Sequence, residues 1–155
     1  GNMKFRMNGA PTRGTLDGAN VEILQEVGAD NFFLFGLTTA EVHKRREDPD
    51  QSRKAIEASP TLPGVLQAIA EGTFSPEQRD RYHGLVHRVW HHDYFLVSAY
   101  FDAYDAALSS VYRAFADRDV WLKMSAMNTA RSGFFSSDRT IRSYMKDIWS
   151  IPSAL

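Results

Sequence analysis

The chain has 155 residues, the size of one domain, and its 43% hydrophobic and 24% charged content is enough to build a core. Its net charge of −1, from 18 basic and 19 acidic residues, gives no electrostatic ground for nucleic acid or an anionic membrane as partner. The absence of cysteine excludes disulfides, thiolate catalysis and cysteine-ligated zinc. No apolar run reaches the length of a membrane span and no secretory layout opens the chain, so a soluble, cytoplasmic protein is expected.

In chain order, Asn2 to Asn8 reads as a short helix closed by Gly9, because glycine takes the left-handed conformation that ends helices. TRGT (12–15) is a strand candidate. In LDGANVEILQEVG (16–28), Val21, Leu24 and Val27 recur at three-residue spacing, which predicts a helix with Asp17 capping its start and Gly28 closing it. NFFLFG (31–36) places four apolar residues between Asn and Gly, the pattern of a strand buried on both faces. Thr38 and Glu41 form a capping box that starts a helix through about Arg46. Arg45, Arg46 and Arg53 alternate with Glu47, Asp48 and Asp50 as a solvated face, and Asp48 to Ser59 reads as the most loop-like stretch.

Ser75-Pro76-Glu77-Gln78 predicts a helix start, with Ser as cap and Pro in the first turn, running to about Trp90. YFLVSAY (94–100) contains a short extended segment. Asp102 and Asp117 read as caps for helices over 103–116 and 118–131, and Ser137 as the cap of a last helix over 138–149, before Pro152 ends the order. No repeat, low-complexity tract or flexible linker interrupts the chain. Two or three early strands followed by five or more helices give a helix-rich α/β class. A parallel sheet needs more strands and helices on both faces. Residues 1–155 therefore read as a single partial domain, the tail of a larger α/β domain with an incomplete parallel sheet.

Several side chains invite a chemical reading. His83, His87 and His91 recur at i, i+4, i+8, with His92 and Asp93 adjoining. Two histidines four apart can grip zinc from one helical face, but Gly84 stands where the zinc-protease pattern needs glutamate. Hydrogen bonding near a helix end, where a charged histidine gains about 0.3–1 kcal/mol from the helix dipole, is the favoured account, and no metal is expected. Ser, His and Asp are present without a G-x-S-x-G elbow, and neither a P-loop nor a G-x-G-x-x-G occurs. The aromatic run YFLVSAYFDAY (94–104) has faces for a sugar or a base, yet its mixed spacing points to core and interface. Lys4 stands among Met3, Phe5 and Met7. Apolar surroundings favour the neutral amine that attacks an aldehyde, and a glycine before a helix start, Gly1, suits a phosphate. A lysine and a phosphate-binding helix start within one turn are what pyridoxal phosphate needs, but most lysines near a terminus are solvated, and on the residues alone that is the favoured account of Lys4.

The run GNMKF-x-MNGA-x-T-x-GTLDGANVEI (1–23) resembles the alpha-glucan (glycogen/starch/maltodextrin) phosphorylase family, whose cofactor motif ends in G-N-M-K-F-x-[LM]-N-G. The resemblance continues in order through NFFLFG (31–36), FSP (74–76), WHHDYFLVSAYFDAY (90–104) and NTARSGFFSSDRTIRSYMKDIW (128–149). It implies the C-terminal portion of a Rossmann-like, glycosyltransferase-B type domain. It also implies an activity that moves the terminal glucose of an alpha-1,4-glucan to inorganic phosphate, giving glucose 1-phosphate, in an enzyme that is usually a homodimer. Lys4 aligns with the lysine that holds pyridoxal phosphate as a Schiff base, and Gly1 with the glycine whose N–H meets the cofactor phosphate. Proton transfer in the family falls to the cofactor's own phosphate, so no catalytic side chain is assigned here.

The motif's E-A-S-G-T, with its phosphate-binding threonine and glucose-binding glutamate, precedes the position of Gly1. The isolated chain is therefore expected to be inactive. The alternative is a non-catalytic helical module acting in self-association or partner binding. Arg6, Pro11 and Arg13 stand where the family has apolar residues around a buried strand. Because a buried, unpaired arginine is costly, an exposed edge or an altered pocket is expected there.

Overall fold

A computed structural model describes residues 1–151. The helices are α1 (Asn2–Met7), α2 (Ala19–Val27), α3 (Thr39–Arg46), α4 (Gln51–Ala58), α5 (Leu62–Ala70), α6 (His83–His91), α7 (Val97–Ala116), α8 (Arg118–Ala130) and α9 (Ser137–Asp147). Two strands, β1 (Thr12–Gly14) and β2 (Phe32–Leu34), pair in parallel, so the chain is helix-rich α/β with a small sheet. The residues group into two compact units. Among the described residues, one comprises 1–13, 18–33 and 111–151, the other 14–17 and 34–110.

The first unit is centred on Ile23, Val27 and Phe32, with Leu24, Met127 and Phe135 packed against them. Ile23 and Val27 lie four apart on α2, so one helical face supplies both. Gly28, at φ +79°, closes that helix as expected, but Gly18 rather than Asp17 stands at its start. Asp17 instead accepts a hydrogen bond from Thr15 Oγ1 at 2.8 Å. β2 departs from a strand buried on both faces: Phe32 is buried, Phe33 half-buried and Leu34 exposed. A two-stranded sheet has no further strands from which crossover helices could cover both faces. α8 begins at the expected cap, where Asp117 accepts from the backbone N–H groups of Asp119 and Val120. α9 starts at Ser137 itself, one residue early, with Ser136 as its cap position and no side-chain cap bond. Pro152 lies outside the described residues.

The second unit is built around Ile56, Leu62 and Leu66, against which Val86, Val89, Trp90 and Phe101 pack. Its capping box is formed as the sequence indicates. Glu41 donates its backbone N–H to Thr38 Oγ1, and its carboxylate accepts the Thr38 N–H at 2.7 Å. That bond from the Thr38 backbone, then the one from its hydroxyl, holds the Glu41 carboxyl below the usual glutamate range. The loop expected over 48–59 is instead mostly α4, whose Ile56 is fully buried.

The helix expected from Ser75 begins only at His83. Residues 75–82 form successive turns closed by three-residue bonds, Gln78 N–H to Ser75 O and Arg81 N–H to Gln78 O among them. Gly72, at φ +79°, lies so close to Arg79 that an added Cβ would meet its Cα at 2.6 Å. The extended segment expected within 94–100 is also absent. Asp93 accepts from Val97 N–H at 2.9 Å and from Ser98 N–H at 2.7 Å, which starts α7 at Val97. Asp102, expected to be the cap, lies inside α7 and accepts a hydrogen bond from Ser59 Oγ at 2.7 Å.

Candidate functional site

α1 carries the two residues singled out at the head of the chain. Gly1 is its cap position, and the Gly1 carbonyl accepts from the N–H groups of Lys4 at 3.1 Å and Phe5 at 3.3 Å. Space around Gly1 is open, with nothing within 4 Å of where a Cβ would lie. Lys4 is exposed, and neither ion pair found among the described residues engages its amine. Asn8 Nδ2 ties the far end of the helix by donating to the Lys4 carbonyl at 2.9 Å, and Gly9 follows at φ +80°, where the sequence put the helix stop.

The apolar enclosure expected for Lys4 is not formed by its neighbours. Met3, Phe5 and Met7 are 39%, 67% and 64% exposed. The residue of α1 that is buried is Arg6, at 0% exposure. This corrects the expectation of an exposed edge at that position: Arg6 lies on a helix, not a strand, and is buried with partners. Its Nε donates to Asn128 Oδ1 at 3.3 Å, its Nη2 to the Asn128 carbonyl at 3.4 Å, and its guanidinium lies 5.2 Å from the Phe135 ring centroid. Desolvation lowers the Arg6 pKa, while the nearby Glu26 carboxylate opposes that shift. An arginine keeps its charge under such pressure, and since its Nη1 is buried with no hydrogen-bond partner, the two bonds to Asn128 offset the burial only in part. Pro11 and Arg13 are half-buried, so neither stands at an exposed edge.

Asn128, on α8, is itself fully buried and donates from Nδ2 to the carbonyls of Asn31 and Met124, each at 2.9 Å. Thr129 Oγ1 adds a bond to the Arg6 carbonyl at 3.2 Å, and a Cβ at Gly9 would strike Ser125 Oγ. α1 is thus seated on α8 by polar contacts and by one close glycine. Nothing in the local sequence pairs Arg6 with a residue 122 positions away. The local sequence offers only that Arg6 stands between Phe5 and Met7, and it gives Lys4 the same kind of neighbours.

The other candidates sit in the second unit. His87 and His91 face one another with ring centroids 4.6 Å apart, and His92 lies 5.7 Å from His87. All three are exposed, and no group of three or more His, Cys, Asp or Glu among the described residues is arranged to hold a metal. His83 stands apart from this group, its ring Nε2 2.8 Å from the Ala70 carbonyl. The aromatic run divides. Tyr94 and Phe95 are exposed, Leu96 is buried, and Phe101 joins the core. The Arg46 guanidinium lies over Tyr94 at 4.8 Å, beside a cavity of about 330 Å³ lined in part by Gln51, His91 and Asp93. Among the described residues no helix is long and apolar enough to cross a membrane.

Comparison with known proteins places these observations. The family model described as carbohydrate phosphorylase matches residues 1–151. A glycogen phosphorylase of Synechocystis sp. is 48% identical over 151 residues, and one of Haemophilus influenzae is 44% identical over 150, each match covering 97% of this chain. The muscle form of glycogen phosphorylase from Homo sapiens is 40% identical over 151 residues. The chain spans about 18% of the length of each of these relatives.

Proposed function

The chain belongs to the carbohydrate phosphorylase family, and on that premise we propose that it serves phosphorolysis of an alpha-1,4-glucan. The terminal glucose passes to inorganic phosphate, giving glucose 1-phosphate and a glucan one residue shorter. In this reading Lys4 anchors pyridoxal phosphate through its amine, and Gly1 stands at the cofactor's phosphate. The residues present fit that group in kind. Lys4 offers a solvent-reachable primary amine with no ion-pair partner among the described residues, and Gly1 leaves open space at a helix start. When bound, the cofactor supplies proton transfer through its own phosphate. This chain's part is to hold and orient it, and no side chain here is assigned a proton-transfer step. The reading extends to a C-terminal portion of a Rossmann-like, glycosyltransferase-B type domain, with residues 1–155 a single partial domain of a cytoplasmic homo-oligomer.

The observation that carries the proposal is the family match along residues 1–151, at whose start the helix Asn2–Met7 leaves Lys4 exposed. Incubation with pyridoxal phosphate, borohydride reduction and peptide mapping tests it. An adduct on Lys4 in excess of those on Lys44, Lys123 and Lys146 is expected, and equal labelling of all four defeats the cofactor assignment. A second reading is a non-catalytic module that self-associates or binds a partner. The exposed apolar side chains of α1 and of Ile141, Tyr144, Ile148 and Trp149 favour it. An assay for glucose 1-phosphate from maltoheptaose and phosphate separates the two. No turnover is expected of this chain alone, and turnover at a rate ordinary for enzymes removes the non-catalytic reading.

A further inference from the structure

For the clustered histidines of α6 the sequence favours hydrogen bonding near a helix end, and the structure shows otherwise. His87, His91 and His92 are all exposed, and among the described residues none of their ring nitrogens has a hydrogen-bond partner. What their rings meet is one another. His87 and His91 stand four apart, on one helical face, with centroids 4.6 Å apart. His92 lies 5.7 Å from His87 and 6.5 Å from His91. His83, at the start of the same helix, is engaged with the Ala70 carbonyl.

Two imidazoles on one ion, each at a metal–nitrogen length of about 2.0 Å, hold their centroids roughly 4.5–5.2 Å apart for angles from square-planar to tetrahedral. His87 and His91 have that spacing, and His92 falls outside it toward both. The turn that carries the pair is held from several sides. His92 N–H donates to the Arg88 carbonyl at 2.8 Å, Ser52 Oγ donates to the Trp90 carbonyl at 2.8 Å, and Val86, Val89 and Trp90 pack on the core. Asp48 and Asp93 share a cavity with His91, but their carboxylates are engaged. Asp93 serves the start of α7, and Asp48 accepts from Lys54 Nζ at 2.6 Å. The donor set is therefore imidazole alone, which suits zinc, copper or nickel and not magnesium or calcium. Arg88 is exposed and stands about 100° round the helix from His87, where water and salt screen its charge. We propose that His87 and His91 form a two-point site for a divalent ion of the zinc class, with water in the remaining positions. The site lies on α6 and is independent of the cofactor reading of Lys4.

Titration of the full chain with zinc chloride, followed by calorimetry and by the thermal midpoint, tests the proposal. One ion per chain is expected, with a midpoint that rises as zinc is added, because the ion binds the folded pair. His87→Asn and His91→Asn each turn a chelate into a single ligand, and each is expected to weaken binding about tenfold or more. Both side chains are exposed, so both variants are expected to fold. His92→Asn is expected to leave the affinity unchanged, as is His43→Asn, which removes an exposed histidine of α3. Magnesium chloride is expected to leave the midpoint where it is. Absence of zinc binding in the wild type overturns the proposal, and so does an unchanged affinity in His87→Asn or His91→Asn. A loss in His43→Asn equal to theirs marks diffuse surface binding and overturns it too. An equal loss in His92→Asn overturns the assignment of the site to the pair.

Discussion

Arg6 and Asn128 are fully buried partners 122 residues apart, joined by hydrogen bonds of 3.3 and 3.4 Å. The two sides of this pair are not equivalent. Asn128→Ala removes the acceptor of Arg6 Nε and the two Nδ2 bonds to the Asn31 and Met124 carbonyls, leaving the guanidinium only its bond to the backbone carbonyl at 128, a loss of about 3 kcal/mol. Arg6→Met removes the charge with the bonds and refills most of the volume, so about 1 kcal/mol is expected. Urea unfolding of the two variants checks the order, and a larger loss for Arg6→Met contradicts this account.

Asp93 is the start signal of α7. Its carboxylate accepts from the Val97 and Ser98 N–H groups and from Ser98 Oγ at 2.6 Å. Asp93→Ala is expected to cost about 2 kcal/mol, the upper range for loss of a helix cap. Asp102→Ala, inside the same helix, is expected to cost less, because only its bond from Ser59 is lost. Denaturation midpoints of the two variants compare them directly.

Two glycines of the second unit should respond in opposite directions. Gly72 has φ +79°, and a Cβ there would meet the backbone of Arg79, so Gly72→Ala is expected to destabilise by about 2 kcal/mol or more. Gly84 lies in the first turn of α6 with nothing within 4 Å of an added Cβ. Gly84→Ala is expected to raise stability by about 0.5 kcal/mol. Thermal melts of the two variants test the pair.

Glu41 carries a pH dependence of known sign. Its folded pKa is depressed by the Thr38 hydrogen bonds. The capping contribution is therefore fully present above the unfolded glutamate value and is lost as pH falls through the lower folded value. Carboxylate titration by nuclear magnetic resonance should place the Glu41 midpoint below that of an ordinary glutamate. Thr38→Val, which removes the hydroxyl bond, should bring it part of the way back.

The elements legible in the sequence are those whose signals are complete within a few residues. The Thr38–Glu41 capping box, the Asp117 cap and the glycine stops at Gly9 and Gly28 all close local hydrogen bonds or local backbone conformations. Signals that depend on distant partners misled. Ser75-Pro76 has the composition of a helix start, but the chain there closes successive turns and the helix begins only at His83. Asp102 has the look of a cap, but Ser59 engages it while Asp93 starts the helix. α4 contributes only Ile56 to its core cluster, too little to show a period, whereas in α5 Leu62, Val65, Leu66 and Ile69 recur at helical spacing, a signal the sequence did carry.

The sequence by itself determined the family, through runs of residues at both ends of the chain, and it marked Lys4 and Gly1 as the residues to follow. The short helix that carries Lys4 was also within its reach. What only the tertiary structure decided is which face of that helix is held. Composition marked Arg6 as a misfit whose burial would be too costly. The fold makes that burial possible, because a charge can leave water only where partners replace the solvent, and its partners lie far along the chain. Hydrogen bonds of that kind are a property of packing, and they leave Arg6 as the buried residue of a helix on which Lys4 is exposed.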